Sequence, residues 1–236
     1  MNGKHRLSQL WLIVALCGAS QVQAHGRVVE PPSRVVLCSQ GENRDCPIPA
    51  WKTNAMESGK FFPARDGGLS DPVASTDAPN GTPPRDGEIA STSVNGAEKV
   101  LDEQSAQRWR KTVMHAGEHQ RFVWEYSALH KTRRWNYFIT RQDWNPNAPL
   151  TRAQFEAKPF CQYQNSQQPY WDHPELMPTS PTVHTCKLPK RDGYHVILAV
   201  WEVADTPHAF YQQIDAEFVN GGAALTSPFA PPTKRE

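Results

Sequence analysis

The segment Phe122-Val-Trp-Glu-Tyr-Ser-Ala-Leu-His130 alternates in character. Successive side chains of an extended strand point to opposite faces, so Phe122, Trp124, Tyr126, Ala128 and His130 share one side. Val123, Glu125, Ser127 and Leu129 share the other. The next run, Trp135 to Thr140, reads as a strand paired with the first through the short connection 131–134. Further on, Tyr194 to Val203 is almost wholly apolar and suits a central strand. Ala209 to Val219 closes the series, with Phe210, Ile214 and Phe218 inward and Gln213, Asp215 and Glu217 outward. Short strands joined by turn-rich connections, with no long helical pattern, make an all-β sandwich.

Upstream the pattern loosens. His25 to Leu37 resembles an opening strand interrupted by Pro31-Pro32. From Cys38 to about Gly96 prolines, glycines and small polar residues dominate, with short helical turns expected around Trp51–Glu57 and loop over 71–88. The 236 residues carry 21 prolines, 14 glycines and 8 tryptophans, and a net charge of +1 gives no electrostatic basis for binding nucleic acid or an acidic membrane. Lys4, His5 and Arg6 precede the apolar run Leu10–Leu16, and Val22-Gln23-Ala24 places small residues before a cut. That is the pattern of a secretory signal peptide over residues 1–24. No other apolar run approaches the roughly 18–20 residues of a membrane span. The polar, proline-bearing stretch 220–236 is expected to be a disordered tail, leaving 25–219 as one domain of a secreted monomer.

Cys17 would leave with the leader. The four remaining thiols, Cys38, Cys46, Cys161 and Cys186, allow three connectivities, and proximity favours Cys38–Cys46 and Cys161–Cys186.

Cleavage after Ala24 makes His25 the first residue, with an α-amine and an imidazole on one residue. A second histidine brought to that terminus would complete a set of three neutral nitrogens. His130, closing the aromatic strand, is the candidate; alone it would read as a surface or hydrogen-bonded residue. Copper(II) heads the affinity series for nitrogen sites, and an α-amine of pKa ~7.7–8.0 yields its proton readily to a metal near neutral pH. No GxSxG, HExxH or well-placed carboxylate pair offers a hydrolytic alternative.

These residues carry a resemblance to the lytic polysaccharide monooxygenases of auxiliary activity family ten, many first described as chitin-binding proteins. His25-Gly26-Arg27-Val28 and Pro32-Ser33-Arg34 resemble the family's mature start, and Asp86-Gly87-Glu88-Ile89-Ala90-Ser91 a mid-chain block. Ala128-Leu129-His130 followed by Trp135–Thr140 is similar to the segment bearing the second copper histidine. Pro159-Phe160-Cys161, His195–Trp201, Ala204-Asp205-Thr206 and Ala209-Phe210-Tyr211-Gln212 continue the match in order.

The resemblance implies a fibronectin-III/immunoglobulin-like β-sandwich with a long loop and short-helix insertion between the first strands. It implies one copper per chain held by His25 and His130, an external electron donor, and oxygen or hydrogen peroxide as co-substrate. Ala128 would crowd one axial side and Phe210, where other members carry Tyr, the other; packing in the core is an equally ordinary role for Phe210. Glu57 would be the carboxylate that steers the oxygen species, although a lone loop Glu is otherwise a solvated one. Trp51 would stack on sugar rings, or else pack under the first disulfide; Asp205 would line the binding face, or cap the turn before Ala209. His208 stands where relatives often carry a smaller amide; it would touch substrate, tune the site's pH response, or have no role. The loop 61–84 and the insert 164–185 depart from the family pattern. The implied activity is oxidative cleavage of crystalline chitin at C1. A non-catalytic chitin-binding adhesin or virulence factor, and a cellulose-active monooxygenase, are the alternatives.

Overall fold

The computed structural model describes residues 25–92 and 96–219. The expected signal peptide over 1–24 and tail over 220–236 lie outside them. Nine strands are described: β1 (His25–Glu30), β2 (Glu57–Gly59), β3 (Thr112–His115), β4 (His119–Ala128), β5 (Thr132–Ile139), β6 (Cys161–Gln164), β7 (Thr182–Lys187), β8 (Gly193–Val203) and β9 (His208–Val219), with one helix, α1 (Arg34–Ser39). β1, β4 and β7 form a three-stranded antiparallel sheet. The larger sheet runs β2-β9-β8-β5-β6, with β3 added in parallel to β9. The two sheets face each other as an all-β, immunoglobulin-like sandwich.

The filling between the sheets is aromatic. Phe122 and Trp124 of β4 meet Tyr137 of β5, Trp201 of β8 and Phe210 of β9. Inside this apolar layer the Trp124 indole donates to the Tyr137 hydroxyl at 3.0 Å. β4 and β5 therefore do not pair with each other, as the short connection suggested. β4 pairs with β1 and β7, and β5 with β8 and β6. Three residues, Leu129 to Lys131, carry the chain from one sheet to the other. A hairpin would have left one aromatic face without its partner.

The second difference concerns the outer face of the larger sheet. Gln213 and Asp215 were expected to face outward, and both are buried. The proline-rich region folds over that face as a third layer, packing Val35, Ile48, Phe62, Ile89 and Leu101 against Leu198, Val200 and Tyr211. Strands covered on both faces read as continuous apolar runs, which explains β8. The covering also explains α1. Arg34–Leu37, expected as the end of the opening strand, is helical and fully buried. From α1 the Arg34 guanidinium makes two bonds to Asp215, at 2.6 and 2.9 Å, and stacks 4.5 Å from the Trp109 ring. A third difference is His184, expected in a loop but buried in β7, where its Nδ1 lies 2.7 Å from the Tyr137 hydroxyl. Disulfides join Cys38 to Cys46 and Cys161 to Cys186. Among the described residues no helix is long and apolar enough to cross a membrane.

Candidate metal centre

His25 starts β1 and lies opposite Ala128 at the end of β4, with an irregularity in register between His25 and Gly26. Directly paired antiparallel residues have Cα atoms about 5 Å apart, and His130 follows two residues later. Gly26 makes this approach possible: a Cβ there would come within 2.8 Å of the Tyr126 ring and 2.9 Å of the Trp201 ring. Any larger residue would force either the His25 end of β1 or those rings to shift.

His130 is buried and held on several sides. Its Nδ1 lies 3.0 Å from Asp205 Oδ1. Its carbonyl accepts a bond of 3.2 Å from the Thr132 hydroxyl, which itself accepts from the Trp201 indole at 2.8 Å. A carboxylate on one ring nitrogen fixes the tautomer and turns Nε2 toward any metal on the far side of the ring, the usual support of a metal-binding histidine. Asp205 was read as a binding-face or capping residue; the structure makes it the residue that orients His130. Seventy-five positions separate the two, and no local pattern announces the bond.

Among the described residues no group of three or more His, Cys, Asp or Glu is placed to hold a metal. A metal at this edge would therefore draw on two imidazoles and a donor that is not a side chain, the role an α-amine on His25 fills. That set, all nitrogen and without carboxylate or thiolate, fits copper(II).

The other expected residues gather around the same edge. Phe210 is fully buried, its ring 5.0 Å from that of Trp201, and it stands opposite Glu57 in the pairing of β2 with β9. Glu57 Oε2 lies 3.6 Å from His208 Nδ1, both groups partly exposed. Trp51 is 70% exposed on a 3-10 turn over Ala50–Asn54, with Lys52 Nζ 5.4 Å from its ring centre. Burial under the disulfide is thus not its position. The turn is fastened to the small sheet by Asn54, which donates to Ser127 at 3.0 Å. Arg27 adds bonds to Glu125 and Thr53, each 3.1 Å. These ties were not legible in the sequence; the only signal was the glycine directly after His25.

A family profile described as "Lytic polysaccharide mono-oxygenase, cellulose-degrading" matches residues 25–216. A curated relative, GlcNAc-binding protein A of Shewanella oneidensis, is 39% identical over 223 residues, 92% of this chain and 41% of the relative. The chain thus spans about two fifths of the length of that protein. Among solved structures, a chitin binding domain from Burkholderia pseudomallei shares 45% identity and a TM-score of 0.77, over 84% of this chain and all of that one. A Bacillus amyloliquefaciens CBM33 protein in complex with Cu(I) shares 32% identity and a TM-score of 0.62, over 83% of this chain and all of that one. With the family profile covering both sheets and the His25–His130 edge, the chain belongs to the lytic polysaccharide monooxygenases of auxiliary activity family ten.

Proposed function

We propose that this chain is exported, begins at His25 after cleavage, and binds one copper ion through the His25 amine and imidazole and His130 Nε2. In that state it would cleave crystalline chitin oxidatively at C1. The observation that carries the reading is the pairing of His25 with Ala128, two residues from a His130 whose ring Asp205 orients. When bound, copper supplies one-electron chemistry toward oxygen or peroxide, strong enough to remove hydrogen from a sugar carbon.

The chain's own residues do the rest. Ala128 and the buried Phe210 would supply hydrocarbon on the protein side of the site and limit water there. Glu57, partly exposed at the edge, would be the carboxylate that holds and passes a proton at Oε2. Trp51 would offer its exposed indole face to a sugar ring, and His208, partly exposed beside Glu57, would be a further substrate contact. Chitin is favoured by the names of the Shewanella and Burkholderia relatives, and the cellulose in the family's description names the competing substrate. A second reading, chitin binding without cleavage, is favoured by a curated relative named for binding alone.

The experiment uses the secreted protein. Its intact mass should correspond to a chain starting at His25; any other start removes the amine ligand. Ascorbate and peroxide added to the copper form on β-chitin should release aldonic-acid oligosaccharides. Glu57→Gln should slow release while leaving copper affinity near its original value. If the copper form binds chitin without oxidised product, while an active relative run alongside yields it, the binding reading takes over.

A further inference from the structure

We propose that Trp171 is a second stacking platform for the polysaccharide, beside His130 and separate from Trp51. The inference rests on the polysaccharide reading above and extends its contact surface into the 164–185 insert.

The feature that carries it is a clamp. Lys131 follows His130 directly, and its ammonium donates to the carbonyls of Tyr170 and Trp171, at 2.6 and 2.9 Å. The Lys131 backbone is itself fixed, its carbonyl accepting from the Ala204 amide at 2.7 Å, one residue before Asp205. Trp171 is thereby held within the reach of one lysine side chain from the candidate copper ligand. Trp51 is tied to the other end of the same stretch through the Asn54–Ser127 bond. The two exposed indoles are thus both tied to the stretch that carries His130.

The insert is built to hold this ring still. At its base, buried Arg133 makes two bonds to Asp77 and donates to the carbonyls of Asn165 and Gln167. Further along, His173 Nδ1 lies 2.6 Å from Glu175, and the Tyr170 ring meets the Trp171 ring edge to face at 5.0 Å. Yet Trp171 is 57% exposed and contributes nothing to either core layer. A large apolar ring kept in water on a braced support loses little freedom when a partner arrives. The partner its face suits is a pyranose with equatorial substituents, whose axial C–H bonds present an apolar, slightly positive surface to the negative π face. Chitin and cellulose share that surface, so Trp171 adds affinity for the chain without choosing between them.

The test is depletion binding of the metal-free secreted protein to β-chitin and, separately, to microcrystalline cellulose. Trp171→Ala should weaken binding to whichever polymer the wild type holds by about three- to tenfold, with an unchanged melting temperature. Trp171→Phe should restore most of the loss. Lys131→Met keeps the indole but opens the clamp, and should give an intermediate loss; it also serves if Trp171→Ala is poorly folded. If Trp171→Ala and Lys131→Met bind as tightly as wild type while Trp51→Ala does not, the inference is overturned and the polysaccharide reading stands. If the wild type binds neither polymer, the polysaccharide reading fails and takes this inference with it.

Discussion

His184 and His195 are buried on β7 and β8, and both should make the fold sensitive to mild acid. Burial alone pushes His184 down to about 4; burial, then the Arg191 charge, brings His195 to about 4 as well. His184 is hemmed in by Tyr163 stacked at 4.0 Å and by the Tyr137 hydroxyl, and His195 bonds Thr140 at 2.9 Å. An unfolded chain takes up a proton near pH 6.5 while the folded one refuses it until about 4, so acid favours unfolding. The loss begins as pH falls through 6.5, grows to about 4, and is absent above 6.5. At pH 5, 1.5 units below the unfolded value, each histidine should cost about 2 kcal/mol, or about 4 for both if they act independently. Urea unfolding at pH 7.5 and 5.0 measures the drop, and His184→Gln removes one of the two contributions. Whatever the variant's own stability, its drop should be smaller than that of the wild type by about 2 kcal/mol, since groups common to both cancel. Equal drops would refute the argument that burial keeps His184 neutral.

Asp215→Asn leaves the Arg34 charge buried without its carboxylate, and should cost about 3–5 kcal/mol in urea unfolding at pH 7. Gly26→Ala forces a methyl against the Tyr126 and Trp201 rings; it should destabilise by about 1–3 kcal/mol and weaken copper binding measurably in a chelator competition. Asp205→Ala removes the group that orients His130 and should weaken copper binding about 10–100-fold, while Asp205→Asn, which keeps a hydrogen-bonding oxygen, should recover part of it.

The inner faces of β4, β8 and β9 were legible because alternation of Phe122, Trp124 and Tyr126, and of Phe210, Ile214 and Phe218, depends only on local period. Which strand pairs with which was not. A short link without a turn signature serves a hairpin and a crossing between sheets equally well, and only the need of Trp124 for the opposite sheet separates them. Gln213 and Asp215 failed for a related reason. Polar residues alternating with apolar ones normally mark a wet face, but here the proline-rich region lies over it, and Arg34 of α1 neutralises Asp215. The same covering turned the expected strand end at Arg34–Leu37 into a helix.

The candidate site divides along the same line. His25 and His130 stood out as residue types at chain positions, the first at an expected cleavage point and the second at a strand end. What makes them a site is carried by residues remote in sequence: Asp205 on the β8–β9 turn orients one ring, and Trp201 and Tyr126 permit only a glycine beside the other. The second support comes from the aromatic layer between the sheets, so part of the geometry of the edge is inherited from the core. Variants that disturb Trp201 should therefore reach the metal without touching a ligand, whereas the exposed indoles of Trp51 and Trp171 should change substrate contact and leave the fold as it is.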